Sequence, residues 1–265
     1  MTVAAALVLG LLVGSFLNVC IYRLPKDESV VRPRSRCPYC GETVRWYDNL
    51  PVVSFFLLRG RCRDCGAVIS WQYPLVEAAT GLLFAVVAAR YGATLLAVKA
   101  ALFVAMMLAL GVADLIDRIL PDEITLGGAG VGLLLSLVQP LPAGLMGALL
   151  GLAGWRPGPV VISFVESLTG AALAAGLLHL VAEIYYRLRF REGMGFGDVK
   201  MMALIGAFLG LLPAFWTVLL ASVLGAVIGL VFILVFRKGL AYELPFGTFL
   251  ALAGILMVVW GHEAV

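Results

Sequence analysis

Long apolar runs constrain the fold of this chain more than any other feature of its sequence. Eight such runs are separated by polar segments, and they cover residues 3–22, 73–90, 94–113, 123–139, 160–186, 199–212, 214–236 and 246–262. A helix of about 20 apolar residues spans the hydrocarbon core of a bilayer, which is about 30 Å thick. We therefore predict an all-α polytopic membrane protein with about eight transmembrane helices.

The composition excludes an ordinary soluble domain. Hydrophobic residues make up 62% of the chain, charged residues make up 13%, and the mean hydropathy is +1.04. Soluble domains carry about 25% charged residues.

Two apolar segments do not fit a full span. The sixth run, 199–212, is short and meets Pro213, so we expect a half-span or a kinked continuation into the seventh run. Residues 141–155 are too apolar for a plain loop and too short to cross a bilayer. This favours an interfacial or re-entrant piece.

Basic residues indicate the orientation of the spans. If both termini lie outside, sixteen of the nineteen lysines and arginines fall on the cytoplasmic side. These are Arg23, Lys26, Arg32, Arg34, Arg36, Arg45, Arg59, Arg61, Arg63, Arg118, Arg187, Arg189, Arg191, Lys200, Arg237 and Lys238. Cytoplasmic loops of membrane proteins carry an excess of Lys and Arg, so this orientation is favoured.

The polar segment 23–72 carries two Cys-x-x-Cys turns. Cys37 and Cys40 form the first pair, Cys62 and Cys65 form the second, and a glycine follows each pair. This spacing is typical of a structural four-cysteine zinc site, whose closed coordination leaves no position for a catalytic water. Two disulfides are the alternative, but thiols on the cytoplasmic side stay reduced. The segment is therefore predicted to be a small cytoplasmic zinc-binding domain between the first two spans.

Two aspartates lie where a carboxylate is costly. Asp114 follows the apolar residues 100–113 and opens a polar connector, and Asp198 ends the glycine-rich stretch 193–197 before another apolar run. A carboxylate at the edge of hydrocarbon must be paired, hydrated or used, so each is a candidate functional residue. If the two approach within a few ångströms, repulsion keeps one protonated and the other ionised. Such a pair can activate water and protonate a carbonyl oxygen, as aspartic proteases do.

Simpler interpretations compete for these carboxylates. Asp117 is expected to be solvated in the connector, and Asp122, after Pro121, is expected to be the N-cap of the fourth span. Asp198 is itself a possible N-cap. The glycines at 193, 195 and 197 predict irregular backbone at membrane depth, which is tolerated only when it is buried in protein or lines a wet cavity.

A series of motifs resembles those of the bacterial type IV prepilin leader peptidases, a family of membrane aspartyl proteases with a Gly-x-Gly-Asp motif. In chain order they are residues 14–25, the two cysteine turns with Asn49-Leu50-Pro51 between them, residues 73–77 (Tyr-Pro-Leu-Val-Glu), Asp114 with Leu120-Pro121-Asp122, residues 195–200 (Gly-Phe-Gly-Asp-Val-Lys) and residues 244–247 (Leu-Pro-Phe-Gly). The resemblance covers nearly the whole chain. It implies a first transmembrane helix at 1–22, a zinc domain at 23–72 and a membrane-embedded aspartyl protease domain at 73–265.

The resemblance also implies an activity. Such enzymes, in the bacterial inner (cytoplasmic) membrane, cut the basic leader from prepilins and pseudopilins of type IV pili and type II secretion systems at the cytoplasmic face. Asp114 and Asp198 match the catalytic pair. Members with the cytoplasmic domain also N-methylate the new amino terminus with S-adenosylmethionine. The expected partners are these substrates and membrane lipid, not nucleic acid. Thr248 departs from the pattern, since the family often has proline there, and we expect this change to leave the chemistry intact.

Two other function classes fit parts of the pattern. A proton-coupled membrane transporter would use the two aspartates as relay groups. A membrane scaffold would bind a partner through the zinc domain, with both aspartates as helix caps.

Expectations also follow for a few further ionisable residues. Glu77 is expected to orient the zinc domain or to contribute to methyl transfer. His179 and Glu183 are four residues apart, which favours an interior hydrogen-bonded pair over a metal pair or a relay. Lys99 is expected to snorkel to the outer face.

Overall fold

The structure is a computed structural model that describes residues 2–141, 144–190, 194–236 and 244–261. These residues form ten α-helices and two isolated β-bridges. The helices are α1 (Val3–Arg23), α2 (Val53–Leu57), α3 (Gln72–Tyr91), α4 (Leu95–Asp117), α5 (Asp122–Val138), α6 (Leu145–Leu152), α7 (Pro159–Arg189), α8 (Phe196–Leu209), α9 (Leu211–Phe236) and α10 (Phe246–Trp260). Arg191, Gly193, Arg237, Lys238 and the last residue of the predicted span 246–262 lie outside the described residues.

Each predicted apolar run coincides with a helix, so the prediction of an all-α multi-pass membrane protein is confirmed. Five of the helices described, namely α1, α3, α4, α7 and α9, are long and apolar enough to cross a bilayer. The helices at the other three predicted runs, α5, α8 and α10, have 17, 14 and 15 residues. The count of eight spans therefore stays a prediction.

The chain divides into two compact units, Met1–Ala109 and Leu110–Val265. In the first unit, α1 and α3 run antiparallel, with their backbones close together. A Cβ atom at Gly14 would lie 2.7 Å from Glu77 Cα, and the side-chain amide of Asn18 donates to the carbonyl of Tyr73 over 3.1 Å. Small residues permit such close packing between membrane helices.

The short helix α8 forms the centre of the second unit. Ten of its fourteen residues are buried, and it packs against α5, α7, α9 and α10. A Cβ atom at Gly170 of α7 would lie 2.6 Å from the carbonyl oxygen of Gly206, so glycine is needed at this crossing. Asp198 lies in the first turn of this central helix.

The break after α8 differs from the prediction of a kink at Pro213. The helix ends at Gly210, whose φ of +83° favours glycine, and α9 begins at the next residue. Pro213 lies in the first turn of α9, where proline is tolerated because no helical hydrogen bond needs its N–H.

The segment 141–155 contains the eight-residue helix α6, which is too short to span and packs on α7. The buried carboxylate of Glu166 in α7 accepts the N–H of Met146 over 2.9 Å. The hydroxyl of Ser163 accepts the N–H of Leu141 and donates to the carbonyl of Ser136. These buried polar residues of α7, which sequence reasoning did not single out, hold the segment in place.

Candidate active site and metal centre

The first candidate carboxylate, Asp114, lies inside a helix. The prediction that it opens a polar connector was wrong, because α4 continues to Asp117 and the connector begins at Arg118 with a φ of +55°. The N–H of Arg118 bonds to the carbonyl of Asp114 over 3.1 Å, which closes the last turn. Asp114 is 6% exposed, whereas Asp117 is exposed, as expected.

The carboxylate of Asp114 is held by the start of α10. Its Oδ2 accepts the backbone N–H of Thr248 over 2.7 Å and lies 3.1 Å from the Thr248 hydroxyl. A Cβ atom at Gly247 would lie 3.0 Å from Asp114 Cγ, so the backbone approaches the carboxylate closely. The first N–H groups of a helix have no partner within the helix, and an acceptor from another segment satisfies one here.

The second carboxylate, Asp198, is the third residue of α8. The alternative that it is the N-cap does not hold, because Gly195 occupies that position. The Asp198 carboxylate instead lies near the Gly195 backbone, and the N–H of Asp198 donates to the carbonyl of Gly195 over 3.2 Å. Asp198 is 6% exposed. Among the described residues of the glycine-rich stretch, only Met194 and Gly195 precede the helix, so the irregular backbone is shorter than predicted.

The structure brings the two aspartates into one place within the second unit. The charge of Asp114 acts directly on Asp198, so the two carboxylates lie within electrostatic range. Leu120 packs where they meet: a Cβ atom at Gly197 would lie 3.0 Å from Leu120 Cβ, and one at Gly247 would lie 3.1 Å from its Cδ1. The first turns of α8 and α10 thus converge on Leu120, each carrying or holding one carboxylate.

Asp122 does not have the role that its sequence suggests. Pro121 is the N-cap of α5, so the prediction of an Asp122 cap was wrong. The Asp122 carboxylate accepts two hydrogen bonds, of 2.7 and 2.9 Å, from the Lys200 ammonium group, which also lies 5.2 Å from the Phe196 ring. This ion pair joins the start of α5 to α8, two residues after Asp198.

The cysteine turns of the first unit are two copies of one structure. In the first, the N–H of Cys37 bonds to the carbonyl of Glu42, and the N–H of Gly41 returns to the carbonyl of Cys37. The second repeats this pattern 25 residues later with Cys62, Ala67 and Gly66. Both glycines have a positive φ, near +76° and +72°, which closes the turn.

The four thiols meet as a metal site requires. All five cysteines of the chain are free, and the Sγ atoms of Cys37, Cys40, Cys62 and Cys65 lie within 4.8 Å of one another. The Sγ atoms of Cys37 and Cys65 are 3.8 Å apart. A tetrahedron with Zn–S bonds of about 2.3 Å has edges of about 3.8 Å, so the cluster fits a zinc ion. The backbone N–H of Cys40 also lowers the pKa of the Cys37 thiol to about 7, which favours the thiolate.

Glu77 connects this cysteine domain to the membrane helices. Its buried carboxylate accepts the N–H of Val52 over 2.7 Å, just before α2. Val52 has a φ of +62°, a rare value for a β-branched residue, so the bond holds a strained backbone. The expectation that Glu77 orients the cysteine domain agrees with this contact.

An unsatisfied acceptor lies on α1, where this helix packs against α3. Asn18, 2% exposed, uses its amide group to donate to the carbonyls of Gly14 and Tyr73. Its Oδ1 is buried and has no hydrogen-bond partner among the residues that the structure describes. Buried polar groups are rarely left unpaired, so this oxygen is suited to a donor from a ligand.

Two expectations for other ionisable residues were wrong. The Glu183 carboxylate accepts a 2.7 Å hydrogen bond from Arg187 rather than one from His179, and both residues of the predicted interior pair are surface residues. Lys99 does not snorkel, because its side chain is fully buried and its Nζ has no hydrogen-bond partner in the described part of the chain.

Comparison with known proteins identifies the family. Residues 8–91 match the model of the "Bacterial Peptidase A24 N-terminal domain", and residues 101–230 match that of the "Type IV leader peptidase family". A relative from Pseudomonas putida is 37% identical over 98% of this chain and 91% of its own length. One from Pseudomonas aeruginosa is 34% identical over the same shares, and one from Myxococcus xanthus is 40% identical over 86% of this chain and 62% of its own length.

All three relatives are named "Prepilin leader peptidase/N-methyltransferase". No solved structure gives a significant match. The chain belongs to the type IV prepilin leader peptidase family, which confirms the resemblance seen in its motifs.

We expect the purified protein to bind about one divalent metal ion per chain, because the four cysteines complete one tetrahedral site. Elemental analysis of the Cys37→Ser, Cys62→Ser double variant should find no stoichiometric metal. Cys20→Ala, which changes the cysteine outside the cluster, should keep it. Metal retained by the double variant would contradict the four-thiolate site.

Proposed function

We propose that this protein cleaves the basic leader of prepilins and pseudopilins, with Asp114 and Asp198 as the catalytic pair. One observation carries the assignment: two buried carboxylates from different helices lie within electrostatic range beside the converging starts of α8 and α10. The family and its relatives support the substrate class.

The chemistry follows from two carboxylates that share one proton. The ionised aspartate takes a proton from water, whose oxygen attacks the carbonyl carbon of the scissile bond, while the protonated aspartate donates to the carbonyl oxygen. The C–N bond then breaks, and the leaving nitrogen takes up a proton. Hydrolysis releases the leader as a carboxylate and the mature chain as an amine.

The charge distribution supports a place for this reaction in a bacterial cytoplasmic membrane. Both aspartates lie at helix ends that carry basic residues, Arg118 beside Asp114 and Lys200 beside Asp198. Basic flanks favour the cytoplasmic side. A substrate with an apolar helix would lie beside these spans and present its leader junction at that interface.

The second proposed activity is N-methylation of the new amino terminus, with S-adenosylmethionine as the donor of an electrophilic methyl group. The names of the relatives support it. In the first unit, the unpaired Oδ1 of Asn18 and the Glu77 carboxylate can accept hydrogen bonds from the new amino terminus. We propose that these two residues orient this terminus and that Glu77 takes up the proton that its ammonium group loses, because only the neutral amine has a lone pair that can accept the methyl group.

The cysteine cluster is proposed to hold structural zinc. Four thiolate ligands leave no open position for substrate or water, so the metal stabilises the cytoplasmic domain rather than taking part in catalysis. The Glu77 to Val52 bond then fixes that domain to α3.

Asp114→Asn and Asp198→Asn should each reduce the cleavage rate by about 10²–10⁴-fold, the usual share of a general acid or base. The measurement is turnover of a synthetic prepilin by purified protein in detergent. Asp117→Asn is the matched control, because Asp117 is exposed in the same turn of α4 and should keep the wild-type rate. Wild-type turnover by either single variant of the pair would contradict the acid pair and favour a transport relay or a scaffold.

Glu77→Gln should separate the two activities, because glutamine keeps an acceptor for the Val52 N–H but removes the negative charge. We expect normal cleavage, and loss of methyl transfer from labelled S-adenosylmethionine. Glu28→Gln, at an exposed position in the same unit, is the control. Equal methylation by Glu77→Gln and wild type would remove Glu77 from the methyl-transfer site.

A further inference from the structure

Thr248 contacts one member of the proposed catalytic pair through both its backbone N–H and its side chain. Its backbone N–H donates to Asp114 Oδ2 over 2.7 Å. Its Oγ1 lies 3.1 Å from the same oxygen and 2.9 Å from the carbonyl of Gly111. A hydroxyl carries one hydrogen, so it donates to one of these two acceptors at a time.

These contacts reach only one of the two carboxylate oxygens of Asp114. Both Thr248 donors converge on Oδ2, and no other hydrogen bond to the carboxylate is found among the described residues. A hydrogen bond donated to a carboxylate stabilises its charged form. Negative charge is therefore favoured on Oδ2, and Oδ1 is left to accept a proton from water.

The surroundings of the two aspartates also differ, and the difference favours negative charge on Asp114. Asp114 accepts from the first turn of α10, whose N-terminal end carries partial positive charge, and the Arg118 charge also acts on it. The Asp198 carboxylate lies near the backbone of Gly195 and faces the negative charge of Asp114. The donors thus favour the ionised form at Asp114 and leave the shared proton to Asp198.

We propose that Thr248 is a positioning residue that keeps Asp114 the ionised member of the pair, so that Asp114 acts as the base and Asp198 as the acid. The inference rests on the proposed peptidase function. It also gives a role to Thr248 at a position where the family often has proline. A proline at this position has neither an N–H nor a hydroxyl, so the threonine gives this chain a donor set that proline lacks.

The position allows the two donors to be removed in steps. Thr248 is the third residue of α10, where no helical hydrogen bond uses the N–H, so Thr248→Pro keeps the helix. Thr248→Val removes only the hydroxyl, and Thr248→Ser keeps both donors. Thr217→Val is the matched control, because this buried threonine of α9 donates within its own helix, to Pro213.

The experiment is the pH dependence of kcat/KM for prepilin cleavage by the four variants and the wild type. On the acidic side of the optimum, we expect kcat/KM of Thr248→Pro to fall about 10-fold or more, because hydrogen bonds to a charged group are strong and this variant loses both donors. The fall for Thr248→Val should be smaller, because this variant keeps the backbone N–H. At the optimum the loss should be small. Thr248→Ser and Thr217→Val should follow the wild-type profile.

Three outcomes would overturn the proposal. An unchanged pH profile in both Thr248→Pro and Thr248→Val would show that the donors do not set the ionised partner. An equal loss at every pH would indicate a structural role only. If Thr248→Pro does not fold, the Thr248→Val variant decides: an unshifted acidic limb of its pH profile overturns the proposal. Failure of the peptidase function itself is distinguished by the wild type, which would then not cleave prepilin, and failure of the acid pair is distinguished by wild-type turnover of Asp114→Asn.

Discussion

The hydrogen bond from the start of α10 to the Asp114 carboxylate is the interaction on which the proposed active site depends. A carboxylate near hydrocarbon is tolerated only when donors compensate for the loss of water. Thr248 supplies those donors, and Gly247 lets the backbone approach closely enough. The same bond satisfies an N–H that α10 cannot use internally. One contact therefore stabilises a helix end and holds a reactive group.

This solution recurs at two other places in the chain. The buried carboxylate of Glu77 accepts the N–H of Val52, and that of Glu166 accepts the N–H of Met146. In each case a carboxylate on a long helix accepts a backbone N–H that has no partner within its own segment. Buried acids thus have a structural use here as well as a proposed catalytic one.

Local sequence predicted the helices and the metal cluster, and it identified the two aspartates. Apolar runs predict the position of helices because a bilayer requires spans of a narrow range of length and an apolar composition. The Cys-x-x-Cys spacing predicts a turn because that turn is formed by neighbouring residues. Contacts between distant segments were not predictable in this way. Asp122 has the sequence context of a cap, yet Lys200 binds it from 78 residues away. Lys99 and Glu166 were misjudged or missed because burial depends on which helix faces pack together.

Whether Asp114 and Asp198 meet is tested most directly by cysteine cross-linking in a Cys20→Ala background, with a protease site in the loop after α6. A short bifunctional thiol reagent should join the two fragments of the Asp114→Cys, Asp198→Cys variant. Asp122→Cys with Lys200→Cys is the positive control, because the native carboxylate and ammonium groups are in contact and the reagent spans the gap that the lysine chain leaves. Each variant with one added cysteine supplies the background. Efficient linkage of the 114–198 pair is expected. Fragments that stay separate while the 122–200 pair links would contradict it.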